Sequence, residues 1–119
     1  MGSPVVRWQI VAPDPDATLT FYRQLFGWTV SQANALGYRE VAAADGGIGG
    51  GVWPAPPQAK PFVQLFVAVP DVEAHVQRAT ELGARVLVPT TALPDGDVMA
   101  VLLDPTGLAF AICAERPGV

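Results

Sequence analysis

The chain has 119 residues, half of them apolar and only 15% charged, which is the size and composition of one globular domain with a real core and excludes a disordered chain. Seven basic residues against eleven acidic ones give a formal charge of -4, and the basic ones stand singly, so no patch collects phosphates and nucleic acid is not an expected partner. No apolar run approaches the ~20 residues of a membrane helix, Met1-Gly2-Ser3-Pro4 carries no leader pattern, and the single Cys113 excludes an internal disulfide or a multi-thiolate metal site; the expectation is a cytoplasmic protein with no membrane partner.

In chain order, Val5 to Val11 alternates, with Val6, Trp8 and Ile10 on one face and Arg7 and Gln9 on the other, the pattern of a strand with one packed face. Asp14 is an N-cap with Pro15 at the first helical position and Asp16 at the positive end of the dipole. The helix is expected to run to Phe26, with Leu19, Tyr22, Leu25 and Phe26 as its apolar stripe and Gly27 as its left-handed stop. Strands are expected over Trp28 to Ser31, Tyr38 to Ala44 and Ile48 to Trp53, separated by an Asn34-Ala35-Leu36-Gly37 turn and an Asp45-Gly46-Gly47 turn.

Pro54 to Pro61 holds four prolines and reads as an extended linker. The order then repeats. Phe62 to Val69 is a strand; Asp71 caps a helix to Leu82 with Val72, Val76, Ala79 and Leu82 on one stripe; Gly83 stops it. Strands over Val86 to Val88, Asp97 to Leu103 and Leu108 to Ala114 follow, the last two joined by Asp104-Pro105-Thr106-Gly107. Arg116 to Val119 are expected to fray. The offset between Gly27 and Gly83 is the one between Val30 and Val86, so two copies of a β-α-β-β-β unit fill one domain over residues 1–119, module 1 at about 4–53, the linker at 54–61 and module 2 at about 62–115.

Phe21-Tyr22 through Phe26-Gly27-Trp28, the Asp71 to Gly83 segment and Asp104-Pro105-Thr106-Gly107 resemble the vicinal oxygen chelate superfamily, which includes glyoxalase I, bleomycin-resistance proteins, extradiol dioxygenases and methylmalonyl-CoA epimerase. The resemblance implies an α+β fold of two paired βαβββ modules whose eight strands form a cupped mixed sheet around a ligand cavity, and it implies homodimers. It also implies a divalent metal held by His and Glu from four strands. Carried over one by one, those positions fall on Arg7, on the Gly49 to Trp53 stretch, on Gln64 and on Ala111, where a cation, an amide and small residues stand. The expectation is therefore no metal and no cofactor. His75, the one histidine, lies on a helix and reads as solvent-facing.

Strand alternation places Arg7, Gln9, Tyr38, Glu40, Gln64, Phe66, Ala68, Ala109, Ala111 and Cys113 on the faces turned away from the helices, and Val63, Leu65, Val67, Val69, Leu108, Phe110 and Ile112 under them. Arg7, Gln9, Tyr38, Glu40, Trp53, Gln64, Phe66, Ala109, Ala111 and Cys113 are the candidate ligand-binding residues, an apolar wall with a few hydrogen-bonding groups. Several alternatives stay open. Arg7 and Glu40 equally suit an ion pair across neighbouring strands or exposure at a sheet edge, Trp8 and Trp28 suit the core, Trp53 suits a pocket wall or a dimer contact, and the Gly49-Gly50-Gly51 triplet suits a bulge or a close backbone approach. Most carboxylates have local work at helix starts and turns, which leaves Glu40 and Asp97 as free acids. The reading is a metal-independent protein that sequesters an apolar or aromatic molecule, such as a drug or natural product. The competing reading is a lyase, isomerase or cyclase with Arg7, Glu40 and Tyr38 as catalytic candidates; a third is an interaction subunit without a ligand.

Overall fold

The computed structural model describes residues 2–114, so the expectation for Arg116 to Val119 lies outside the described residues. Seven strands and two helices follow in the order β1 (Val5–Ala12), α1 (Pro15–Phe26), β2 (Arg39–Val41), β3 (Gly50–Pro54), β4 (Phe62–Val69), α2 (Val72–Glu81), β5 (Arg85–Ala92), β6 (Val98–Leu103) and β7 (Ala109–Ala114). They fall into two compact units: Arg7–Gln64, and the residues before Arg7 together with those after Gln64. Pro4 belongs with the latter, its carbonyl accepting from the Ala68 amide at 3.0 Å.

In the Arg7–Gln64 unit the strand order is β2-β3-β1, with β1 and β3 parallel and β2 and β3 antiparallel. α1 starts where expected: Asp14 accepts from the Ala17 amide, Pro15 opens the helix and Gly27 closes it at φ 74, its amide reaching Arg23 O at 2.8 Å. Leu19 packs into Ala12, Val41 and Val52, ringed by Trp8, Ile10, Trp28 and Val30. Trp8 and Trp28 stand with ring centroids 5.1 Å apart, so both indoles serve the core. The apolar stripe of α1 is narrower than expected, because Leu25 and Phe26 are more than half exposed; Phe26 is held by its rings against Tyr22 and Trp28.

The expected strand Trp28 to Ser31 shrinks to one bridge, Val30 with Val41, which makes seven strands and not eight. Backbone bonds still join this segment to β2, the Ala42 amide donating to Thr29 O at 3.0 Å and the Ser31 amide to Glu40 O at 2.8 Å, and side chains add to them. Arg39 Nε donates to Ser31 O at 2.8 Å, Ser31 Oγ accepts from the Glu40 amide at 2.8 Å, and Arg39 pairs with Asp16. Tyr38 to Ala44 shortens to β2, since only three of its residues find partners on β3. The proline stretch is not wholly extended, because the Ala59 amide closes a turn onto Pro56 O at 2.9 Å.

The other unit has the order β4-β7-β6-β5, with β4 and β7 parallel and the rest antiparallel. This is the same internal plan: first strand parallel to last, middle strands outward, with the Val30 bridge occupying the place of β5. Asp71 caps α2 through the Ala74 amide at 3.0 Å, and Val69, Val72, Ala84, Ala100, Leu102 and Ile112 form the core with Val76 and Ala79. Leu82 caps the helix and is 61% exposed, so the stripe ends at Ala79. Val63, Leu65 and Leu108 are also mostly exposed. Leu108 precedes β7, and it is Val67, Val69, Phe110 and Ile112 that pack with α2. β5 is longer than expected, and its register with β6 shifts on either side of Val88; Pro89, which cannot donate to a ladder, sits inside the second shift. Among the described residues, no helix is long and apolar enough to cross a membrane.

Candidate functional site

Strand register in the Arg7–Gln64 unit fixes which side chains share a face. The row Gln9, Gly51 and Glu40 points away from α1, as do Val11 and Trp53, while Trp8, Gly50 and Val41 and then Ile10, Val52 and Arg39 point toward it. Arg7 precedes Gln9 by two and shares its face. Tyr38, just before β2, lies across this face: its hydroxyl accepts from Gln9 Nε2 at 3.3 Å, and its ring centroid is 4.4 Å from that of Trp53. β2 and β1 flank β3, so Arg7 and Glu40 are not on neighbouring strands as the ion-pair alternative required.

The glycine triplet makes this arrangement possible. A Cβ on Gly51 would fall on the Tyr38 hydroxyl, one on Gly50 would fall within the Trp8 indole, and one on Gly49 would meet Val41 O at 2.9 Å. The Asn34 turn aims Tyr38. Asn34 Oδ1 accepts from the amides of Leu36 at 2.8 Å and Tyr38 at 3.1 Å, and Gly37, at φ 82, completes the turn with its amide on Asn34 O.

Two polar atoms on this face are buried without a hydrogen-bond partner: Gln9 Oε1 and Trp53 Nε1. Gln9 is 1% exposed, which makes the open amide end costly unless something else supplies a partner. Burial, above all, pushes the Tyr38 phenol above its ordinary 10.0; the Gln9 hydrogen bond and the charge of Arg7 oppose it, and Glu40 reinforces it. Glu40 itself is exposed.

The remaining candidates are placed elsewhere. Gln64, on β4, is 4% exposed with Oε1 open. Phe66, Ala111 and Cys113 are buried in the other unit on the sheet face opposite α2, in register as Phe66 with Ala111 and Met99 with Cys113; Ala109, on the same strand as Ala111, is half-buried. Asp97 is not the free acid expected. It is 4% exposed, Oδ1 accepts from the Val98 amide at 2.8 Å, and Oδ2 has no hydrogen-bond partner. His75 is exposed in the first turn of α2 with Nδ1 2.9 Å from Asp71 O.

A guanidinium at Arg7, an amide at Gln64 and no side-chain donor at Gly49 to Gly51 or Ala111 do not fit a divalent ion. Among the described residues, no three His, Cys, Asp or Glu side chains are grouped to hold one. The roles of Gly50, Gly51 and Asn34 are missed when the sequence is read by alternation alone; the signal that could have found them is three adjacent glycines facing an aromatic two residues before Glu40.

The element order, the parallel pairing of first with last strand and the doubled unit define an α+β protein of the vicinal oxygen chelate superfamily. The family model described as Glyoxalase-like domain matches residues 6–113, and the chain belongs to that family. The protein CFP32 of Mycobacterium tuberculosis (strain CDC 1551 / Oshkosh), named as a candidate glyoxylase, is 30% identical over 106 residues, covering 83% of this chain and 41% of CFP32. The same figures hold for its Mycobacterium bovis counterpart, so the chain spans about two fifths of the length of the curated relatives it matches. Among solved structures, methylmalonyl-CoA epimerase from Streptomyces coelicolor in complex with 2-nitronate-propionyl-CoA has a TM-score of 0.68 at 19% identity, covering 96% of this chain and 98% of that one. The Mycobacterium tuberculosis epimerase has a TM-score of 0.69 at 16% identity over 98% and 93% of the two chains, and a hypothetical protein from Bacillus halodurans C-125 has 0.70 at 12% over 100% and 99%. At these identities the likeness is one of fold.

Proposed function

We propose that the chain binds a small apolar or aromatic molecule on the face formed by Gln9, Tyr38 and Trp53, without a divalent ion, and sequesters it in the manner of bleomycin-resistance proteins. The observation that carries this is the pair of tilted rings, Tyr38 and Trp53, beside two buried polar atoms with no partner, Gln9 Oε1 and Trp53 Nε1. Leaving such atoms unmet costs on the order of 1–3 kcal/mol each, and a bound ligand relieves that cost. Rings offer area, and open polar atoms orient what lies on them. The proposal includes a homodimer, in keeping with the superfamily resemblance; light scattering that shows a monomer at all concentrations removes that part.

The test is a thermal-shift and tryptophan-fluorescence screen with planar aromatic natural products in the presence of a chelator. A ligand at about 100 times its Kd stabilises by about 2.7 kcal/mol. A screen in which nothing shifts, or in which every shift needs an added divalent ion, overturns the proposal.

A second reading, a lyase, isomerase or cyclase acting on a small oxygenated substrate, is favoured by one observation: a buried phenol, its pKa raised chiefly by that burial, lies within the field of Arg7. Tyr38 would serve as acid, Arg7 would stabilise a developing oxyanion, and Glu40 would act from the exposed rim. Solvent-proton exchange into methylmalonyl-CoA or a glyoxal adduct, abolished in Tyr38→Phe, supports it; inertness toward both leaves the binding reading alone.

A further inference from the structure

We infer that the molecule this face selects is an aryl oxyanion, a planar aromatic bearing a deprotonated hydroxyl or a carboxylate, with its ring on Tyr38 and Trp53 and its oxygen on their N–H and O–H groups. The inference rests on the binding reading above and narrows it to a ligand class.

The argument is an inventory of hydrogens. Trp53 Nε1 is a donor and nothing else, so only an acceptor can meet it, and it is buried with none. The Tyr38 oxygen receives a hydrogen from Gln9 Nε2, and Arg7 also donates toward it, which leaves the phenol's own hydrogen to be given outward. The Gln9 amide has one end on Tyr38 and one end open. A half-turn of that amide puts its carbonyl oxygen on the Tyr38 hydrogen and presents its NH₂ in place of the phenol O–H, so the Gln9–Tyr38 pair offers an arriving acceptor an outward donor in either arrangement. Arg7 adds a full positive charge on the same strand face, and its influence on the Tyr38 hydroxyl exceeds that of Glu40, which is exposed. The face is therefore rich in donors and biased to positive potential around a pair of rings. A neutral aromatic covers the rings and leaves the donors unmet; an aryl oxyanion satisfies both.

The probes are p-nitrophenolate and nitrobenzene, which share ring and nitro group and differ in the anionic oxygen; both quench tryptophan fluorescence, and dialysis gives Kd independently. Hydrogen bonds to a charged partner are the stronger kind, so p-nitrophenolate is expected to bind about ten to a hundred times more tightly than nitrobenzene. The phenolate absorbance of bound probe is also expected at lower pH than for free probe. Arg7→Met and Trp53→Phe are each expected to shrink the preference while nitrobenzene still binds; unfolding curves identify any variant that fails to fold, in which case the absorbance shift in the unaltered protein decides. Equal affinity for the two probes with no absorbance shift overturns the oxyanion inference and leaves aromatic binding standing. Binding of neither probe overturns both.

Discussion

Gly51 has no side chain because Tyr38 occupies the space, and that one exclusion orders the whole polar face. Gly51→Ala forces Tyr38 off Gln9 and off the Trp53 ring; a cost of about 1–3 kcal/mol in denaturant unfolding is expected, in line with overpacking elsewhere, together with a changed near-ultraviolet dichroism of Tyr38 and Trp53. An unchanged spectrum and midpoint would show that Tyr38 does not lie there. The Tyr38 phenol also gives an alkaline signature. Its folded pKa is raised, so its contribution to stability is complete below the ordinary 10.0 and is lost as pH rises through the higher folded value. Tyr38→Phe is expected to flatten the alkaline limb of the stability curve. Alternation along β1 made Arg7 and Gln9 legible as a pair turned from the helix, and alternation along β2 did the same for Tyr38. What a reading of single strands lacks is the register between them, and only the register reveals that Gly51 lies between Gln9 and Glu40, under the Tyr38 hydroxyl.

At the scale of elements, both helix starts were legible because capping is local chemistry: Asp14 and Asp71 each accept from the amide three residues on. Asp14→Ala and Asp71→Ala are expected to cost about 1 kcal/mol each, read from the denaturation midpoint. The turn before β7 is equally local. Asp104 Oδ1 gathers the Thr106 hydroxyl at 2.7 Å and the amides of Thr106 and Leu108 at 2.8 and 3.0 Å, and these bonds, the Thr106 hydroxyl foremost, hold its carboxyl below the ordinary 3.8. A depressed folded pKa contributes stability above the unfolded value, and that stability is lost as pH falls through the folded one. The gap in melting temperature between the wild type and Asp104→Asn is thus expected to close in acid; a gap that persists there refutes the assignment. The strand after Gly27 was legible as a pairing segment but not in its extent: Thr29 and Ser31 bond the backbone of Ala42 and Glu40, while only Val30 and Val41 form a bridge.

For the whole molecule, the repeat was the most legible feature, since two glycine-stopped helices at one offset are countable without a structure. Each unit carries its own core, Leu19 at the centre of one and Leu102 of the other, both buried to within 1%. Leu19→Ala and Leu102→Ala are each expected to cost about 2–5 kcal/mol, measured by denaturant unfolding. The candidate site was less legible than the fold, because buried, unpartnered atoms such as Trp53 Nε1 and Gln9 Oε1 announce themselves only through what is missing around them. The glycine run on β3 carries a further implication for how this protein can diversify. At three adjacent positions an added side chain requires a neighbour to shift: a carbonyl, an indole and a phenol. Natural or laboratory drift of this face is therefore channelled away from that strand and onto the residues that overlie it, with Tyr38 as the first to change and Gly51 free to vary only afterwards.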